Sequence, residues 1–378
     1  MDKEKKRKKI PLSTTIKLWA VAGGRCEYCN TVLWKDSLTG SDLNKSYIAH
    51  IRAVSKGGPR WDKKLSSILE KDISNLMLLC DECHNRIDKS QVNEHNVERL
   101  EKIKKEHEFK IKRLTGLASK GKKAYTIVYG ATIGNNDPPF NNDQIIEALL
   151  NQGIYPIEDL PLKLSLENSS FRDKNLSYWK VNEKQLCTTF RSKIQPIIEN
   201  INHNTFAVFA LAPQPLLVKF GTLFSDIQNV MIFQKHREPD NWTWLKEKTK
   251  NGIIVSEPTN KSLQPILIFA LSAKAIIGYV KKAYPTNTNS LWIITCKYPS
   301  NDMLRNIEQL KQFRIKTREV LDKINSTSFG FTLKVFMAMP AACAFELGRI
   351  CMPKADLSME LYDRNVQSKN FIKTLTIK

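Results

Sequence analysis

Four cysteines open the question of what chemistry this chain could do. Cys26 and Cys29 form one C-x-x-C pair and Cys80 and Cys83 a second, with fifty residues between them. Two such pairs suit a tetrahedral zinc site, because each tight knuckle presents two thiolates from one turn. A thioredoxin-like redox pair would instead follow a strand in a βαβ setting, and neither pair does. His84 follows the second pair at once, His50 lies in "YIAHIRAVSKGGPR", and Asn75 precedes the strand-like "LMLLC". A histidine at a strand end, an asparagine before the second knuckle and a histidine on the following helix can converge on one divalent cation and one phosphate. A neutral imidazole takes a proton from water near physiological pH. A divalent ion stabilises a pentacoordinate phosphate and its leaving oxygen. The competing reading makes His50 and His84 satisfied core histidines of a zinc module that only binds DNA.

The elements that must position these residues are short. "STTIKLWAVA" reads as a helix with a Ser/Thr cap, stopped by Gly23-Gly24. "SYIAH" begins as a strand and runs into a Gly/Pro loop. A charged helix follows, with an apolar stripe at Val97, Leu100, Ile103, Ile111 and Leu114. His95 and His107 read as solvated helix positions. Residues 1–9 form a basic tail expected to be disordered. The small basic stretch "ASKGKK" marks a boundary near 118–124, dividing the chain into 1–120 and 121–378. A domain this small would need its metal to fold.

Beyond the boundary, apolar strand-like runs ("YTIVYGATIGNN", "TFAVFALAP", "QPILIFALS", "SLWIITC", "TLKVFMAMP") alternate with helix-like segments. That alternation predicts an α/β fold with a largely parallel sheet, long enough for two fused units. Two passages echo one another, "FALAPQPLLVKFG" and "FMAMPAACAFELG". In open α/β sheets, ligands bind beyond the strand C-termini, where helix N-termini favour phosphates. Pro213 and Gln214 stand at such a place. "FQKHREPDNWTWL" adds Lys235, His236, Arg237, Trp242 and Trp244, cations with aromatics that suit a nucleotide. Lys354, in "MPKAD", completes the candidate pocket. The alternatives are a surface turn over a core for the tryptophans and a salt-bridged turn for Lys354 with Asp356. Glu346 and Arg349 read as stabilising the fold or an interface.

Composition narrows the partners. The chain has 378 residues and a net charge of +21. Residues 1–123 carry 28 Lys+Arg against 16 Asp+Glu, and the remaining two thirds 31 against 22. A basic N-terminal third points to a polyanion, nucleic acid first. No run of 18 apolar residues occurs and no secretory signal precedes the first helix, so a soluble cytoplasmic protein is expected. The other four cysteines, Cys187, Cys296, Cys343 and Cys351, sit among apolar neighbours and read as core packing. No G-x-G-x-x-G follows a strand, which argues against a dinucleotide oxidoreductase.

Taken together, "C-x-x-C … AHI-x-A-x-x-x-GGPR … SNL-x-LLC-x-x-CH-x-x-ID" resembles the HNH (ββα-metal) endonucleases over roughly residues 20–92. The resemblance implies an α+β domain with a structural zinc on the four cysteines. By position it makes His50 the general base, His84 a ligand of Mg2+ or another divalent ion, and Asn75 a residue that holds the His50 loop or helps bind metal. Many members carry Asp or Glu just before the first histidine. Ala49 stands there in this chain, and Asp62 or Asp88 would complete the shell. Residues 125–378 resemble the SAVED domain, which is similar to two fused CARF-like Rossmann units and senses cyclic oligonucleotides. HNH followed by SAVED resembles the effector nucleases of bacterial CBASS anti-phage systems. That resemblance implies a cyclic di- or trinucleotide activator, assembly into a dimer or tetramer, and degradation of double-stranded DNA in abortive infection. The rival reading is a non-catalytic zinc DNA-binding regulator under a nucleotide-sensing domain.

Overall fold

Pro11 and Gly23 bracket the first helix, α1 (Leu12–Ala22). Gly23 closes it in the left-handed conformation at φ 64° and returns its N–H to Ala20 and Trp19. In the computed structural model the described residues are 9–36, 38–117, 121–134, 136–158, 160–165, 176–200, 204–224, 227–246, 251–328, 330–364 and 370–378. Most of the basic tail expected at 1–9 lies outside them. The chain divides into two compact units, Met1–Lys120 and Gly121–Lys378.

In the first unit, β1 (Ser46–His50) pairs antiparallel with β2 (Leu76–Cys80), placing His50 opposite Leu76 and Ser46 opposite Cys80. Between them lies α2 (Leu65–Ile68); after β2 come α3 (Asp81–Asn85), a π-helical turn Arg86–Ser90 and the long α4 (Val97–Leu117). The core is small: Leu18, Ala22, Leu33, Ile51, Leu76 to Leu79, Ile87 and Leu100 surround Cys26 and Cys83. Glu27 is buried inside it. Its Oε2 accepts the Leu78 N–H at 2.7 Å and its Oε1 faces Lys104 Nζ at 3.3 Å, tying the first knuckle to β2 and α4. Burial pushes its carboxyl up to about 7 against the pull of Lys104. The two histidines expected on solvent are interior. His95 Nδ1 donates to Gln91 O at 2.7 Å while Nε2 takes the Tyr28 hydroxyl at 3.0 Å, and His107 Nε2 donates to Ala22 O at 3.0 Å. His107 lies seven residues from Leu100, on the apolar stripe of α4, so the helix period carries it inward.

The second unit contains β3 (Lys122–Gly130), α5 (Asn142–Asn151), β4 (Ile154–Pro156), β5 (Leu162–Lys163), α6 (Leu176–Lys193), α7 (Gln195–Asn200), β6 (Thr205–Leu211), α8 (Gln214–Gly221) and β7 (Asn229–Phe233). Then follow β8 (Ile253–Ser256), β9 (Gln264–Ala270), α9 (Ala275–Ala283), β10 (Asn289–Cys296), α10 (Ile307–Thr327), β11 (Leu333–Ala338), α11 (Ala341–Ile350), β12 (Met359–Arg364) and β13 (Phe371–Ile377). One sheet runs β4-β3-β6-β7, with β5 also on β3, and every pairing in it is parallel. The other runs β13-β12-β11-β9-β10-β8, with a parallel centre and antiparallel edges at β8 and β13. Two α/β units therefore form this part, each around its own sheet, and the two echoing sequence passages occupy strand–helix steps in different sheets, β6–α8 and β11–α11. Cys296 and Cys343 are buried and Cys187 and Cys351 half-buried, as core packing requires.

Those two helices cross at glycine. A Cβ on Gly221 would lie 2.0 Å from Phe345 O, and one on Gly348 would lie 1.9 Å from Val218 O. Each glycine stands eight residues after the proline that opens its helix, Pro213 or Pro340. Only a bare Cα permits this approach.

Candidate functional site

The first knuckle, the end of β2 and the start of α3 bring four thiols together. Cys26, Cys29, Cys80 and Cys83 each offer one sulfur, and all lie within 4.8 Å of one another. Cys29 and Cys80 Sγ are 3.7 Å apart, close to the ~3.8 Å edge of a tetrahedron with Zn–S bonds of about 2.3 Å. Such a cluster can bind a metal ion. Burial pushes the Cys26 thiol up to about 11, whereas hydrogen bonding, with Thr31 first, outweighs burial at Cys29 and brings it down to about 7; a bound cation would favour the thiolate at both. Among the described residues this is the one place where three or more His, Cys, Asp or Glu ligand atoms gather.

Beside it stand the residues expected to do chemistry. His50 ends β1 half-buried, and its Nε2 lies 2.9 Å from Glu70 O. A carbonyl only accepts, so Nε2 carries the proton and Nδ1 keeps a lone pair. Asn75 is buried and fully engaged. Its Oδ1 accepts the Arg52 N–H at 2.8 Å, and its Nδ2 donates to Arg52 O at 3.1 Å and Leu69 O at 3.3 Å. These bonds suit the first of its two expected roles, holding the loop after His50. His84 lies on α3, stacked on Tyr47 of β1 at 5.2 Å and 9°. Tyr47 and Ala49 share a strand face by the two-residue period, so the position before His50 belongs to the face that His84 covers. Ala49 offers no donor there.

Both carboxylates suggested to complete the shell already make other contacts. Asp62 Oδ1 accepts the N–H groups of Lys64 and Leu65, both at 2.8 Å. These hydrogen bonds hold its carboxyl below the usual range and make it the cap of α2. Asp88 has both oxygens occupied, Oδ1 by the Arg60 guanidinium and Oδ2 by His84 Nε2 at 3.3 Å. Arg60 was not anticipated. Its side chain is buried and donates to Ile51 O at 2.7 Å and Ile87 O at 2.8 Å, from a backbone at φ 55°.

In the second unit the expected pocket divides. Pro213 caps α8, and Gln214 Oε1 accepts the Met339 N–H at 3.2 Å, across to the start of α11. Gln234 Oε1 accepts the Ala342 N–H at 3.1 Å in the same place. Lys235 follows, bound to Asp240 Oδ1 at 2.7 Å and Gln144 Oε1 at 2.8 Å, while Arg237 is exposed. Trp242 and Trp244 are not stacking platforms. Both are core residues, 0% and 5% exposed, and Trp242 stacks on Phe140 and meets Phe209 edge-on. Lys354 is elsewhere. It lines a cavity of about 1280 Å³ with Thr222, Leu223, Phe224 and α10, at the far end of α8 from Pro213, about 12 Å away along an eight-residue helix. Asp356 pairs with Arg318 of α10 at 2.5 Å. Glu346 and Arg349 form a buried ion pair at 3.3 Å, as a structural role requires.

Residues 190–377 match the model of the SMODS-associated and fused to various effectors sensor domain, SAVED. That segment is similar to the SAVED family over 188 of the chain's 378 residues. The match begins inside α6 and spans both sheets from β6 onward. Among solved structures, the chain is similar to the Acinetobacter baumannii Cap4 SAVED/CARF-domain containing receptor with the cyclic trinucleotide 2'3'3'-cAAA. The identity is 16%, covering 71% of this chain and 54% of that one, with a TM-score of 0.42. The same receptor with 3'3'3'-cAAA gives 15% identity, 84% and 67% coverage and a TM-score of 0.43. The Moraxella osloensis Cap4 receptor gives 11%, 84%, 70% and 0.41. The chain thus spans about half the length of the first of these receptors. No curated protein matches it. Among the described residues, no helix is long and apolar enough to cross a membrane.

Proposed function

We propose that the chain is a cyclic-oligonucleotide-activated, metal-dependent HNH endonuclease of anti-phage defence. The SAVED domain binds a cyclic di- or trinucleotide, copies of the chain assemble, and the first unit cuts double-stranded DNA. What carries the reading is the union, in one chain, of a SAVED sensor domain with a strand-end histidine whose Nε2 is pinned to a backbone carbonyl.

The mechanism follows from these side chains. Glu70 O fixes the His50 ring, and Nδ1 takes a proton from water as the water oxygen bonds to phosphorus and the bond to the 3′ oxygen breaks. Asn75 locks the loop that follows His50, so the base does not drift from the phosphate. Lys56, Lys63 and Lys64 stand exposed on that loop and suit the DNA backbone. In this reading His84 would offer a ring nitrogen to a divalent ion. Such an ion would supply charge stabilisation at the scissile phosphate. The four-cysteine cluster is assigned a structural zinc that substitutes for a larger core.

The test is plasmid cleavage by the full chain with Mg2+, Mn2+ or Ni2+ across a panel of cyclic di- and trinucleotides, beside His50→Ala. Cleavage with one or two panel members, lost in His50→Ala, is the expected result. The absence of an acid at Ala49 favours one other reading, the DNA-binding regulator. It predicts retarded but intact DNA under every ligand and metal.

A further inference from the structure

The first sheet of the second unit ends in a cavity of about 530 Å³, lined by Phe140, Asn141, Asn142, Lys163 and Ser165. None of these residues lies in the segment 190–377. The cavity sits at the carboxyl ends of β3 and β5, where open parallel sheets bind their ligands. The chain leaves β3 toward β4 and β6 toward β7, so β3 flanks the point where the winding reverses. Phe140 is the aromatic ring of this cavity. Trp242 stacks on one of its faces at 5.9 Å and 10°, yet Phe140 is only half-buried. A ring has two faces, and the second is left to the cavity. Its edge crosses the end of β3: a Cβ on Gly130 would lie 2.8 Å from Phe140 Cε2 and 2.8 Å from Pro138 Cγ. Only glycine lets strand and ring meet there. The Gly130 N–H goes to Ser165 Oγ at 2.8 Å, and the Ser165 hydroxyl keeps its own proton to donate. Asn141 Oδ1 caps α5 at the Asp143 N–H, 2.8 Å away, which leaves its NH2 group as a donor. Asn142 and Lys163 are exposed, and Lys193 Nζ lies 3.0 Å from Lys163 O, so a second ammonium group stands close by. Lys235 Nζ lies 5.8 Å from the Trp242 ring and bonds Gln144 Oε1 of α5 at 2.8 Å. The basic-aromatic segment therefore backs the stacking platform instead of forming it.

We propose that this cavity takes one nucleotide of the activating cyclic oligonucleotide, with its base stacked on Phe140, the edge of the base read by Asn141 and Asn142, and its phosphate met by Lys163 and Ser165. A flat heterocycle is what an aromatic face beside amide groups fits. Stacking accepts any base, whereas a side-chain amide, both donor and acceptor, tells one base edge from another. The volume falls within the roughly 300–1,000 Å³ of small-molecule sites. The proposal rests on the nucleotide-sensing reading for the identity of the ligand. The cavity and its ring do not depend on that reading.

Two binding experiments on the full chain separate the site from the reading. In the first, calorimetry with the panel of cyclic di- and trinucleotides compares the wild type with Phe140→Leu, Phe140→Trp, Asn142→Ala and Lys163→Ala. Phe140→Leu keeps an apolar side chain against Trp242 and loses the ring, so Kd should rise about 10–100-fold. Phe140→Trp should restore most of that loss. Asn142→Ala should change the rank order of the panel. Lys163→Ala should weaken binding and make it less dependent on salt. In the second, saturation-transfer NMR reads contact with AMP, GMP, CMP and UMP in the wild type and in Phe140→Leu. Circular dichroism checks folding, and if Phe140→Leu does not fold, the exposed Asn142→Ala and Lys163→Ala carry the test. A cyclic nucleotide bound equally by the wild type and by every folded variant overturns the proposal and leaves the sensing reading standing. A panel without any ligand, beside mononucleotides that contact the wild type and not Phe140→Leu, overturns the sensing reading and keeps the site. A wild type that binds no nucleotide of either kind overturns both.

Discussion

Adding one methyl group at the crossing of α8 and α11 should destabilise the second unit sharply. In Gly348→Ala the new Cβ would sit 1.9 Å from Val218 O and 2.9 Å from Thr222 N. An ordinary Cβ contact needs roughly 3.4 Å or more, so the helices must part by over 1 Å. Both obstacles are backbone, and neither can swing aside. Separation also loosens Phe220 against Phe345, whose rings are 5.1 Å apart. Overpacking of this kind costs about 1–3 kcal/mol when side chains can adjust, and here they cannot, so ~3 kcal/mol or more is expected. For a unit of this size that lowers its Tm by about 6–12 °C. Gly278→Ala is the matched control. It lies within α9 with nothing within 4 Å of its would-be Cβ, and should stabilise by about 0.5–1 kcal/mol. Differential scanning calorimetry of the full chain reads both. A Gly348→Ala transition as high as that of Gly278→Ala would refute the crossing.

Other expectations follow from single groups. His236 is 1% exposed, and burial, then Arg305, depress its pKa from 6.5 to about 4. The unfolded ring takes its proton near pH 6.5 and the folded one only near 4, so stability falls as pH drops across that window, by up to about 3 kcal/mol. His236→Phe should flatten that part of the urea-midpoint profile, and a profile that stays as steep would discount the buried ring. Lys235→Ala should weaken binding of the activating nucleotide about tenfold or more in calorimetry, the loss of one charged hydrogen bond. Lys354→Ala should leave it unchanged, and equal losses would mean that the two lysines share a pocket. Stripping metal from the four-cysteine cluster should unfold the first unit while the transition of the second unit persists, read by calorimetry before and after chelation. With an imidazole as the candidate ligand, Ni2+ should support cleavage at lower concentration than Mg2+. The reverse order would point to an oxygen ligand set.

The parts of the fold that were legible in the sequence are those written in local pattern. Knuckle spacing pointed to the cluster of four cysteines, and apolar runs between turn signals to β3, β6, β9, β10 and β11. The edge strands β8 and β13 were not legible, because β8 is only four residues long and β13 interleaves polar with apolar residues. Polar residues misled wherever tertiary partners decide their side. Trp242 and Trp244 looked like platforms beside lysine and arginine, yet Phe140 and Phe209 claim Trp242 from other parts of the chain. His107 could have been found, since it keeps the spacing of the α4 stripe. The glycine crossing could also have been found, because Pro213–Gly221 and Pro340–Gly348 repeat one interval. The Arg60–Asp88–His84 chain joins residues 28 and 4 positions apart, and only the folded loop brings the first two together.

The central claim is that the SAVED domain gates a nuclease in the same chain. Its most direct measurement is the rate of plasmid cleavage by the full chain with and without each cyclic oligonucleotide, at saturating divalent metal, with His50→Ala alongside. The account predicts cleavage only with a cognate cyclic nucleotide and none from His50→Ala. Cleavage at the same rate without any nucleotide, or undiminished cleavage by His50→Ala, would contradict it.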